Sequence, residues 1–104
     1  MTDVTLIVCT APEGEASDLV DKLLAEQLIA CVNMMGPVTS RYRWEGAIEE
    51  SREVLLLMKT RSDLAPELRR RIVELHSYSV PEVLEFSAAS GLAAYMDWVG
   101  ETCK

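Results

Sequence analysis

Residues 75–86 read LHSYSVPEVLEF, and they hold the chain's single histidine, His76, with Tyr78, Pro81 and Glu82 close behind it. An imidazole and a carboxylate are both metal donors. Joined by a thiol such as that of Cys9, they suit a borderline ion, Cu(II) or Zn(II), better than Mg or Ca, which prefer all-oxygen shells. The three cysteines, Cys9, Cys31 and Cys103, are odd in number and far apart. That spacing argues against a disulfide framework and against a CxxC metal or redox motif, so reduced thiols are expected. No GxSxG, P-loop, GxGxxG or HExxH pattern occurs, and the chain reads as non-enzymatic.

These donors are far apart in sequence, so elements must bring them together. Residues 3–10 are β-branched and apolar on both parities, as in a covered strand. Ala16, Leu19, Val20, Leu23 and Leu24 then recur at helical spacing over residues 14–28, behind a Thr10 to Glu13 pairing that fits a capping box with Pro12 in the first turn. From residue 30 the period becomes two: Val38, Ser40, Tyr42 and Trp44 alternate with Thr39, Arg41 and Arg43, with a bend at Gly36-Pro37. The EGA at 45–47 turns this long strand into a third, residues 47–60, charged first and apolar later. A strand advances about 3.3 Å per residue, so the hairpin tip outruns a domain of this size. Something outside the domain must cover Tyr42 and Trp44.

A second amphipathic helix carries Leu64, Leu68, Ile72 and Leu75, enters through Ser62-Asp63 with Pro66 early in it, and ends near His76. Residues 82–88 alternate as a fourth strand, and Ser90 caps a terminal helix bearing Leu92, Tyr95, Met96 and Val99. The order βαββαβ plus a helix predicts an α+β, ferredoxin-like sandwich, residues 1–104 forming one domain, with an antiparallel sheet ordered 4-1-3-2.

That topology gathers Cys9, His76, Glu82 and the hairpin tip at one edge of the sheet. Glu82 shares parity with Leu84, Phe86 and Ala88, so its carboxylate is expected on a dry face and in need of a partner. Other roles compete for each residue. Cys9 also fits as a small core residue, His76 as a helix-end cap, and Glu82 as an acceptor for a backbone N–H or an arginine. Arg69, Arg70 and Arg71 spread over different helix faces and form no phosphate motif. Met34, Met35 and Met58 fit best as fillers of core or interface gaps.

A formal charge of -7 over 104 residues disfavours nucleic acid and anionic membranes and leaves cations as plausible ligands. The opening MTDVTLIVCTAPEGE has an apolar run of only six residues and no basic region, neither a signal peptide nor a span, and a cytoplasmic protein is expected.

The blocks VCTAPEGEASDLVDKLLAEQLIACVN, SRYRWEGAIEESREVLLLMKT, ELHSYSVPEVL and YMDW together resemble the CutA family of divalent-cation tolerance proteins. The likeness covers nearly the whole chain through the patterns ACVN, YxWxGxIxxxxE, LLxKT and HxYxxPE. It implies a tight homotrimer shaped like the PII signalling proteins, with clefts between subunits, and a part in tolerance to copper and other divalent metals. Carried over by motif, the metal residues are Cys9, His76 and Glu82. Where the family commonly has proline after the histidine this chain has Ser77, which removes a rigid φ and is expected to loosen His76. The resemblance leaves a second role open, that of a PII-like sensor of a small molecule bound in the subunit cleft.

Overall fold

The first strand, β1 (Val4–Pro12), lies at the centre of the sheet in the computed structural model, which describes residues 2–104. It is followed by α1 (Ala16–Ala25), β2 (Cys31–Trp44), β3 (Ala47–Arg61), a 3-10 turn at Ser62–Leu64 leading into α2 (Ala65–Leu75), β4 (Val83–Ser87) and α3 (Ala93–Thr102). The sheet runs β2-β3-β1-β4 with every neighbour antiparallel, which is the expected 4-1-3-2 order seen from its other edge. Alternation sends Ile7, Cys9 and Ala11 of β1 and Leu56 and Met58 of β3 to one face. There they form the main core with Leu19, Val20 and Leu23 of α1 and Leu68 and Ile72 of α2. A smaller cluster at the foot of the sheet joins Met96 and Val99 of α3 to Val4, Ala30, Leu64 and Cys103.

Several local expectations change. The ladder with β3 continues through Pro12 opposite Glu53, so Thr10 is held inside a strand and is not free to cap a helix. Helix α1 starts only after a turn closed by the Glu15 N–H on the Pro12 carbonyl at 2.9 Å, and its N-cap, Glu15, makes no side-chain capping bond. It also stops short of residue 28. Gln27, at φ 58°, and Leu28 donate backbone N–H groups to the carbonyls of Leu24 and Leu23, a Schellman closure that turns Leu28 into the core. Ser90 does not cap α3, whose N-cap is Leu92, itself exposed.

The hairpin is as long as expected. Trp44 pairs with Ala47 across Glu45 and Gly46, both at positive φ (49° and 81°), which is the two-residue turn whose twist matches the strands it joins. A register shift between Met35 and Val38 marks the bend at Gly36, where an added Cβ would sit 3.0 Å from the Glu53 carbonyl oxygen. The hairpin draws the molecule out to 45 Å in its longest dimension.

The face expected to be dry around Glu82 is not covered by the described residues. Helices α1 and α2 occupy the opposite face, leaving Leu84 and Phe86 about half exposed and Leu6, Val8, Leu55 and Leu57 partly so. Glu82 itself is exposed and lies just before β4.

Candidate functional site

His76 is the residue at which α2 ends. Its backbone N–H closes the last turn on the Ile72 carbonyl at 2.8 Å, and its extended backbone (φ -74°, ψ 144°) then carries the chain across the top of the sheet. Its Nε2 lies 2.7 Å from the Thr10 carbonyl oxygen, which only accepts, so Nε2 carries the ring proton. Nδ1 is therefore the acceptor, and it takes the Tyr78 backbone N–H at 3.0 Å. The two rings stand 4.7 Å apart, tilted by 50°. From there the Tyr78 hydroxyl reaches over the sheet edge and donates to Glu53 Oε2 at 2.9 Å.

Glu53 is only 4% exposed. Burial, reinforced by that hydrogen bond to a carboxylate, pushes the Tyr78 phenol up to about 12. Thr10, His76, Tyr78 and Glu53 thus form one continuous polar path tying β1, the end of α2 and β3 together. Ser77, placed where proline is common, donates to Glu15 Oε2 at 3.1 Å. Both ring nitrogens of His76 and the flanking Ser77 hydroxyl are thus engaged in hydrogen bonds.

Cys9, by contrast, has no exposed surface, and its Sγ points toward the Thr10 carbonyl at 3.5 Å. Burial first, and then the nearby charges of Glu82 and Glu53, push its thiol up to about 12. Its cross-strand partner is Val83, which packs against the same core, and Glu82 precedes that residue at the exposed rim. The fold therefore brings Cys9, His76 and Glu82 to one edge without joining them. Among the described residues no group of three or more His, Cys, Asp or Glu side chains is arranged to hold a metal ion. A buried neutral thiol, an imidazole with both nitrogens bonded and a carboxylate at the rim do not fit a ready chelate.

Between the hairpin and residues 78–82 lies a groove of about 860 Å³, walled by Tyr42, Trp44, Glu49, Glu53, Tyr78 and Glu82 among others. Tyr42 and Trp44 share a face of β2 with Ser40, and Glu49 and Glu53 lie across from that row on β3. A smaller pocket of about 160 Å³ lies on the other side of His76, against the start of α1. Glu53 is the residue that the reading of the sequence passed over. Its signal was the final position of the YxWxGxIxxxxE pattern, where the charged half of the third strand meets the apolar half.

The arginine run divides as its helical spacing requires. Arg69 pairs with Glu85 of β4, Arg70 with Glu74 along its own helix at 3.1 Å, and Arg71 reaches both oxygens of Glu26 beyond α1 at 2.8 and 2.9 Å. All three cysteines are free.

Residues 5–102 match the family model described as CutA1 divalent ion tolerance protein. The divalent-cation tolerance protein CutA of Thermus thermophilus is 42% identical over 102 residues, covering 97% of each chain. Among solved structures, CutA from Xylella fastidiosa superposes with a TM-score of 0.94 at 34% identity, covering 99% of this chain and all of that one. The CutA of Archaeoglobus fulgidus, described as a periplasmic divalent cation tolerance protein, superposes at 0.90 with 37% identity over 95% of this chain and 97% of its own.

Proposed function

This chain belongs to the CutA1 divalent ion tolerance family, and on that footing we propose that it is a non-enzymatic, homotrimeric protein of the cytoplasm that binds copper or other divalent cations. The observation that supports the metal part is that Cys9, His76 and Glu82 lie at a single sheet edge, without being joined there, in a chain of net charge -7. Of the three, Glu82 is exposed and meets a cation as it stands. His76 would have to give up its bond to Thr10 or to Tyr78, and Cys9 would have to leave the core. Binding by all three thus entails a rearranged edge and a weak site.

Calorimetric titration with Cu(II) and with Zn(II) tests this, using the wild type, Cys9→Ser, His76→Ala and Glu82→Gln, with circular dichroism checking each fold. Weaker copper binding in Glu82→Gln and His76→Ala is the expected result. Unchanged affinity in all three variants would remove these residues from the metal role. The cytoplasmic assignment rests on three free cysteines and is checked by cell fractionation; recovery in the periplasmic fraction overturns it.

A second reading, a small-molecule sensor like the PII proteins, is favoured by the groove under Tyr42 and Trp44. A metabolite that raises the melting temperature while copper leaves it unchanged would place the weight there.

A further inference from the structure

We infer that the groove between the hairpin and residues 78–82 binds an organic ammonium ion, a protonated amine on an apolar body. The inference rests on the sensor reading and names its ligand class.

Glu53 carries the argument. It is 4% exposed and lines the groove, yet among the described residues its carboxylate receives one hydrogen bond, from the neutral Tyr78 hydroxyl, and no ion pair. Buried charges are ordinarily paired, because desolvation penalises a lone ion heavily. Tyr78 occupies Oε2, which leaves Oε1 as the acceptor for a cation entering from the groove. Glu49 and Glu82 add two further carboxylates to the same lining.

The walls show which kind of cation fits. In the single chain Tyr42 and Trp44 keep 40% and 44% of their surfaces open in the groove lining, and aromatic faces attract ammonium groups through the ring quadrupole while packing against apolar carbon. A bare divalent ion would leave most of a groove of about 860 Å³ empty and would gain nothing from the indole. Histidine and cysteine, the donors that favour copper and zinc, do not line it. Two arginines do, against three carboxylates, but they stand on the other parity of β2 from Tyr42 and Trp44, and Arg41 is already bonded to Glu50 at 2.8 Å. The balance therefore disfavours an anion. An amine would place its charge on Glu53 and its body against Trp44.

The two tryptophans make the test direct. Phenethylammonium and its matched anion, 3-phenylpropionate, are titrated into the assembled protein with a chelator present, while the indole N–H resonances of Trp44 and Trp98 are followed. Trp98 lies on α3, at the foot of the sheet, and serves as the internal reference. The expected result is a saturable shift of Trp44 with phenethylammonium alone, weakened at least about tenfold in Glu53→Gln, as for a lost hydrogen bond to a charged group. If Glu53→Gln does not fold, Glu49→Gln and Glu82→Gln replace it, each expected to weaken binding by a smaller factor. Binding of the anion would overturn the ammonium inference while leaving a small-molecule site in place. No Trp44 shift with either probe, as when a neighbouring copy already neutralises Glu53, would overturn both. Equal binding by wild type and by every carboxylate variant would overturn the role given to the acidic lining.

Discussion

Tyr78 and Glu53 are 25 positions apart in sequence, and the hydroxyl of one donates to the carboxylate of the other at 2.9 Å where the end of β1 meets the buried boundary of β3. The bond makes the turn after α2 part of the sheet. It also fixes which side of Glu53 faces the groove.

Tyr78→Phe removes the only hydrogen-bond donor that the described residues give this carboxylate. Leaving a buried acceptor unsatisfied costs about 1–3 kcal/mol, so denaturant unfolding should show a loss of that size. Glu53→Gln keeps an acceptor and should cost less. A double-mutant cycle of Tyr78→Phe with Glu53→Ala, which removes the acceptor, measures the coupling, and additivity of those two changes would show that the bond contributes nothing.

Cys9 sets an alkaline limit. Its folded value lies near 12 against an ordinary 9.0, so the folded state holds the thiol neutral. This contribution is fully present below pH 9 and is lost as pH rises from there toward 12, because the unfolded thiol ionises first. The stability of wild type should fall in that window more steeply than that of Cys9→Ala. At pH 8, alkylation read by mass spectrometry should leave Cys9 unmodified until the protein is denatured. Rapid labelling of Cys9 in the folded protein would mean that the edge opens far more readily than the closed structure implies.

The sheet order was legible because the hydrophobic period switches between helix and strand at each boundary, and an antiparallel sheet with a right-handed crossover admits few arrangements of that order. The hairpin turn was legible because Glu45-Gly46 joins two alternating runs. What was not legible is non-local. Thr10 and Glu13 have the chemistry of a capping box, but pairing of Pro12 with Glu53 extends β1 past the point where a cap could form. Parity placed Glu82 on the apolar side of the fourth strand, yet parity says nothing about whether a layer covers that side. Cys9, His76 and Glu82 were brought to one edge, and only side-chain geometry reveals that the thiol points inward and that both imidazole nitrogens are occupied. Glu53 was hidden because its partner is remote in sequence.

Arg71 and Glu26 tie α2 to the end of α1 by two hydrogen bonds. The guanidinium, chiefly by hydrogen bonding, holds the Glu26 carboxyl below its ordinary 4.5. The resulting stabilisation is present above pH 4.5 and disappears as pH falls through the lower folded value. Wild type and Arg71→Met should therefore differ by a constant amount near neutrality and converge in acid. The pair is about one-third exposed, so added salt should narrow the difference as well. A gap that persists undiminished at pH 2 would assign the effect to lost packing of the arginine stem.

Phe86 tests the proposed assembly. It is 53% exposed beside Leu84 on a sheet face that also carries Leu6, Val8, Leu55 and Leu57, while β2 and β4 leave their outer edges without a strand partner among the described residues. An apolar face between two open edges is an association surface, and burying one aromatic side chain contributes about 1.5–3 kcal/mol per copy. Light scattering of the wild type should give three times the chain mass of 11.6 kDa. Phe86→Asp, which places a charge in the middle of that face, should shift the population toward the single-chain mass, with circular dichroism retained because the main core lies on the opposite side of the sheet. Val73→Asp, an exposed change on α2, serves as the control and should leave the mass unaltered. A wild-type mass of 11.6 kDa at micromolar concentration would refute the trimer outright. Full retention of the larger mass in Phe86→Asp would move the contact to other residues, with the hairpin aromatics Tyr42 and Trp44 the next to be substituted.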